Sequence, residues 1–140
     1  SWMRLAIFMF FFASGLFVYA ISGSFSKLTQ FERSSITLLF LLLPFNTARV
    51  TIMTFHYSQA HFYFFLGWYL LAISKKTSMF LLACLLFFLS FQMHSLVLFF
   101  VLPLLYFLWQ LRTDKKLEFK SRLAVLTALP FLYLVGRSLF

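Results

Sequence analysis

The sequence predicts an all-α fold, a polytopic transmembrane helical bundle of about six hydrophobic helices, and three observations predict it. The first is composition. Of 140 residues, 63% are hydrophobic, 23 are Phe and only 11% are charged. An ordinary soluble domain is nearer half apolar and a quarter charged, so a chain of this length could not hide so much apolar surface from water. The second is patterning. Stretches without Asp, Glu, Lys or Arg cover residues 5–26, 34–48, 50–74, 77–111 and 123–136. Several approach or exceed the roughly 20 residues that carry a helix across a bilayer core. The third is backbone chemistry: peptide groups in lipid must bond internally, which selects helices over open strands.

The first helix is expected over 3–21, with Ser22, Gly23, Ser24 and Ser26 as a polar exit. Its apolar run is longer than the roughly 7–15 residues of a signal-peptide core, and further spans follow. The second is expected over 34–45. It stops near Pro44, whose ring disfavours helical geometry in the residue before it; a start near Leu28 would bring Glu32 and Arg33 into its first turn. The third covers 47–74, with a polar first half (NTARVTIMTFHYSQAH) and an apolar second half (FYFFLGWYLLAI).

The run 77–111 is too long for one span. As a single helix its 35 residues would extend about 52 Å, against a core of about 30 Å. Its one polar cluster is Ser90, Gln92, His94 and Ser95. Two helices are therefore expected, 78–91 and 95–110, joined by a turn at Gln92-Met93-His94 at or just below the membrane surface. A polar loop, RTDKKLEFKSR, fills 112–122, and a last helix covers 123–137, interrupted at Pro130. Together these make one integral membrane domain over 1–140. The opening SWMRL and the ending GRSLF, partway through an apolar run, are expected of a piece of a larger protein.

The net charge of +9 does not indicate nucleic acid, because the basic residues lie between apolar spans instead of in one patch. They report orientation. If the six helices alternate, one side receives Lys27, Arg33, Lys75, Lys76, Arg112, Lys115, Lys116, Lys120 and Arg122, and the other only Arg4, Arg49 and Arg137. The positive-inside rule makes the first side cytoplasmic. Glu32, Asp114 and Glu118, the only acids, fall on that same side. The outer side then carries Arg49, the Gln92–Ser95 turn and Arg137. It has no carboxylate to act as a base or hold a divalent metal. Cys84 is the single cysteine, so no disulfide forms within the chain.

Three residues could carry chemistry on the outer side. Arg at membrane depth is costly and points to function, which singles out Arg49; the alternative is an anchor whose head reaches the phosphates. His94 can exchange a proton near neutral pH, or simply occupy a turn. Arg137 follows Gly136 and is either an anchor or a ligand for an anion. Asn46, Gln59 and Gln92 can supply neutral hydrogen bonds. His56 and His61 lie about 140° apart on a helix, which does not make a metal pair, and no metal or other cofactor is expected.

The order Asn46-x-x-Arg49 opening a span, an aromatic-rich helix, the basic pair Lys75-Lys76, a second apolar helix and the His94-Ser95 turn resembles the EpsG-like and O-antigen-polymerase-like membrane proteins of bacterial polysaccharide assembly. The resemblance covers residues 46–105. The sequence departs from the family pattern at Val50, where Gln is usual, at Met93, where Phe is usual, and in having His94 and Ser95 adjacent. The resemblance implies a glycosyltransferase reaction at the outer face of the bacterial cytoplasmic membrane. There, oligosaccharide repeats carried on undecaprenyl pyrophosphate are joined into a longer exopolysaccharide or O-antigen chain. Arg49 and His94 would be catalytic, and Arg137, Asn46, His56, Gln92 and Ser95 would bind substrate. The partners implied are the bilayer, the lipid-linked oligosaccharide and other polysaccharide-assembly membrane proteins. The competing expectation is a flippase or exporter component for the same anionic glycolipid, without catalysis.

Overall fold

The computed structural model describes residues 2–25, 27–42, 55–73, 76–113 and 117–139. Those residues are helical apart from short connections, with no strand among them. The helices are α1 (Trp2–Gly23), α2 (Gln30–Leu42), α3 (Phe55–Ile73), α4 (Thr77–Ser90), α5 (His94–Phe99), α6 (Val101–Thr113) and α7 (Leu117–Leu139).

α2 begins at Gln30, four residues before the expected 34, because Thr29 and Glu32 form a capping box. The Glu32 carboxylate accepts from the Thr29 amide (2.8 Å) and hydroxyl (3.0 Å), while the Glu32 amide donates to the Thr29 hydroxyl (3.3 Å). Reciprocal bonding of this kind satisfies two of the open donors at a helix start. The expected start of the third helix, 47–54, lies outside the described residues, as do Asn46 and Arg49.

Two expectations are corrected at the C-terminal side. The polar loop 112–122 is largely helical: α6 continues to Thr113 and α7 begins at Leu117. Its many Lys, Glu and Arg residues are good helix formers, and polarity alone did not distinguish a loop from a solvated helix end. Pro130 does not interrupt α7, which runs on to Leu139. A proline removes one amide donor and fixes φ near the helical value, so a long helix can pass through it.

The split of 77–111 is present. α4 ends at Ser90, whose hydroxyl donates back to the Phe87 carbonyl (2.7 Å), and the chain turns through Phe91–Met93 before α5 starts at His94. Phe87, Phe91 and Phe100 fill the inside of this hairpin. They are fully buried, with ring centroids 4.9 Å apart for Phe87–Phe100 and 5.2 Å for Phe91–Phe100, both edge-on. Edge-to-face packing at these separations is favourable beyond simple burial. α5 and α6 are nearly one rod, since the Phe100 amide donates to Leu96 and the Leu104 amide to Phe100. The division falls where Pro103 has no amide to offer the Phe99 carbonyl.

Aromatic contacts fix the directions. Phe10 touches Phe55 and Phe62, and Phe17 touches Phe62 and Tyr69, so α1 and α3 run parallel. Phe11 on Phe40 makes α2 antiparallel to α1. Gly67 lies 3.2 Å, measured from an added Cβ, from the Ala83 carbonyl, and Phe64 meets Phe87, so α4 descends beside α3. Tyr106 meets both Phe25 and Trp68, which returns α6 to the far end. Arg122 reaches Thr77 and Tyr133 reaches Phe88 and Phe91, so α7 runs beside α4 in the same direction.

The helical segments thus alternate, counting α5 and α6 as one. Among the described residues, one end receives Lys27, Arg33, Lys76, Arg112, Lys120 and Arg122, and the other Arg4 and Arg137. Two helical stretches, Trp2–Gly23 and Lys120–Leu139, are long and apolar enough to cross a membrane. α4, with 14 residues, extends only about 20 Å, the 13 described residues of α2 cover about the same length, and α3 carries polar side chains through its first half. Large apolar side chains face outward on nearly every helix, among them Phe31, Leu98, Phe131 and Leu139.

Candidate functional site

The cation-poor end gathers most of the expected site residues. His94 is the first residue of α5, and it, Gln92 and Ser95 are exposed on the hairpin turn. None of the three side chains forms a hydrogen bond among the described residues. His56 is exposed in the first turn of α3, its ring edge-on to Phe55 with centroids 6.0 Å apart. Arg137 lies one turn beyond Tyr133 on α7. Residues four apart share a helix face, so Arg137 belongs to the face whose Tyr133 packs on Phe88 and Phe91, next to the hairpin turn. Asn46 and Arg49 lie outside the described residues.

Packing also sets the height of these groups. Phe10 sits between Phe55 and Phe62, and Phe17 between Phe62 and Tyr69, an offset of about 48 residues from α1 to α3. Phe64 opposite Phe87 places Gln59 level with Gln92. The turn therefore lies level with Phe10 and Phe11, roughly 13 Å along α1 from Trp2. The hairpin stops short of the end of α1, and Arg137 stands at about the same height as the turn.

Sequence reasoning treated Gln59 and its neighbours as separate polar residues. They are paired along α3. The Gln59 amide donates to the Tyr63 hydroxyl at 2.6 Å, and His61 Nδ1 lies 2.7 Å from the Tyr57 carbonyl. The i, i+4 spacing of both pairs was the available signal. Among the described residues, no group of three or more His, Cys, Asp or Glu comes together to hold a metal ion.

An exposed imidazole without a partner can accept or donate a proton, and an exposed guanidinium can clamp an oxyanion through two parallel bonds. His94 and Arg137 bring both abilities to one height of the bundle. No protein-family model, curated protein or solved structure matches the chain.

Proposed function

We propose that this chain belongs to a multi-pass protein of the bacterial cytoplasmic membrane that joins undecaprenyl-pyrophosphate-linked oligosaccharides into polysaccharide, with the cation-poor end outward. The observation that carries the reading is the gathering of His94, Gln92, Ser95 and Arg137 at the end that, among the described residues, is poor in Lys and Arg, opposite six described cations. Arginine on the outer side runs against the usual bias of membrane proteins and calls for an anionic partner. The apolar side chains facing outward suit lipid.

In this proposal Arg49 and Arg137 hold the pyrophosphate of the donor. His94 takes the proton from an acceptor sugar hydroxyl. That oxygen forms the new bond to the anomeric carbon as the carbon–oxygen bond to pyrophosphate breaks, and the pyrophosphate leaves on its lipid. Cations preorganised around the departing charge are a strong source of rate, and a histidine base suits neutral pH.

The test is glycan length in a strain that depends on this protein. Arg49→Ala and His94→Ala are expected to leave only short, unpolymerised units at normal protein levels. Unchanged chain length would overturn the assignment. Retained chain length with glycan trapped inside the cell would favour a transport role instead. Single cysteines at Gln92 and within 112–122 test orientation: an impermeant thiol reagent on intact cells should label the first and spare the second.

A further inference from the structure

We infer that the Gln59–Tyr63 pair on α3 is a recognition subsite for a neutral, hydroxyl-bearing group, running inward from the level of the hairpin turn and Arg137. This deepens the proposed glycan reading and rests on it. Four observations support it.

The first is height. By the α1–α3 offset, Gln59 and Tyr63 straddle the middle of α1, the longest apolar rod on this side of the bundle. Polar side chains at that depth are expensive to leave in lipid and mark functional positions. The second is the state of the pair. The 2.6 Å bond uses one Gln59 amide hydrogen and one lone pair of the Tyr63 oxygen. The Gln59 carbonyl oxygen and the Tyr63 hydroxyl proton remain without a partner among the described residues. One open acceptor beside one open donor matches an alcohol, which is itself both.

The third observation is position around the helix. Ala60, Phe64, Gly67 and Leu71 are buried on the side of α4, whereas Phe62 and Tyr69 pack on α1. His56, Gln59 and Tyr63 fall within about 60° of one another on the edge between these two faces. They form a strip leading inward from the exposed His56 over about 10 Å. The fourth is charge: no described residue of α3 is Asp, Glu, Lys or Arg. An amide and a phenol without a cation favour a sugar hydroxyl over a phosphate oxygen.

Saturation-transfer NMR on the protein in nanodiscs tests this, with the methyl glycosides of glucose, galactose and N-acetylglucosamine as probes. At least one should receive saturation from the wild type. Tyr63→Phe, which deletes only the hydroxyl, and Gln59→Leu should each weaken that binding about two- to tenfold, the worth of one neutral hydrogen bond. Tyr57→Phe, about 120° away around the helix, should leave it unchanged, and excess inorganic pyrophosphate should not compete. Absence of transfer to the wild type, or full transfer to both Tyr63→Phe and Gln59→Leu, overturns the subsite. The two proposals fail separately. Unchanged glycan length in His94→Ala with Tyr63-dependent sugar binding would remove the polymerase and keep the subsite.

Discussion

At the cation-rich end of the bundle, polar side chains are engaged in holding helices together. Thr29 and Glu32 cap α2; Arg33 donates to the Tyr19 carbonyl and lies 4.5 Å over the Tyr19 ring; Arg122 reaches Thr77 and the Phe80 ring. Phe25 packs between Tyr106 and Trp109. At the opposite end His56, Gln92, His94, Ser95 and Arg137 are exposed and keep their hydrogen-bonding capacity open among the described residues. The contrast separates two uses of polar groups. Paired groups add to stability, whereas open ones add little to it and stay available to a ligand.

Substitutions should expose that difference, and the largest loss is expected where the hairpin is filled. Phe87→Ala removes a ring packed on both Phe64 and Phe100 and should cost about 3–5 kcal/mol, seen as a lower melting temperature in detergent. Gly67→Leu comes next. Even a bare Cβ there meets the Ala83 carbonyl at 3.2 Å, so a larger side chain should separate α3 from α4 at about 1–3 kcal/mol, read in the same melt. Thr29→Ala opens the α2 cap and should cost about 1 kcal/mol.

Acid should act on the same cap. The Thr29 amide first, and its hydroxyl second, hold the Glu32 carboxyl below its ordinary value of 4.5. A lowered carboxylate pKa stabilises the fold above the unfolded value, and that contribution is lost as pH falls through the folded one. Helicity around α2 should therefore be unchanged near neutrality and decline only below about pH 4.5. Hydrogen exchange at the Glu32 amide would follow it, with Thr29→Ala flattening the dependence.

The smallest stability effects belong to the open end. His94→Ala and Arg137→Ala should each shift stability by no more than about 0.5 kcal/mol while shortening the glycan. A melt of His94→Ala that fell as far as that of Phe87→Ala would erase the distinction between the two ends.

Much of this arrangement was legible in the sequence. An apolar run of 35 residues forced a break, and its one polar cluster placed that break at Gln92–His94. The alternation that sorts Lys and Arg followed from it. What could not be read was relative height. Periodicity reports which face of a helix is apolar, but it carries no information on how far one helix slides along another. That depends on particular ring contacts such as Phe10 on Phe62 and Phe64 on Phe87. Pro130 was misread for a related reason, since a local rule about proline was applied where a long helix accommodates one lost bond. The Gln59–Tyr63 bond needed only the i, i+4 spacing to be noticed, but Gln59 stood among other polar side chains, His56, Ser58 and His61, and nothing singled the pair out.

The missing amide at Pro103 has a mechanical consequence. It leaves the α5–α6 rod without a rung at Phe99, the last residue of the short arm that carries His94 and Ser95. That arm is six residues, about 9 Å, long. A tilt of roughly ten degrees about Phe100 would swing the imidazole by about 1.5 Å, which is half a hydrogen-bond length, while the buried Phe87–Phe100 pivot stays in place.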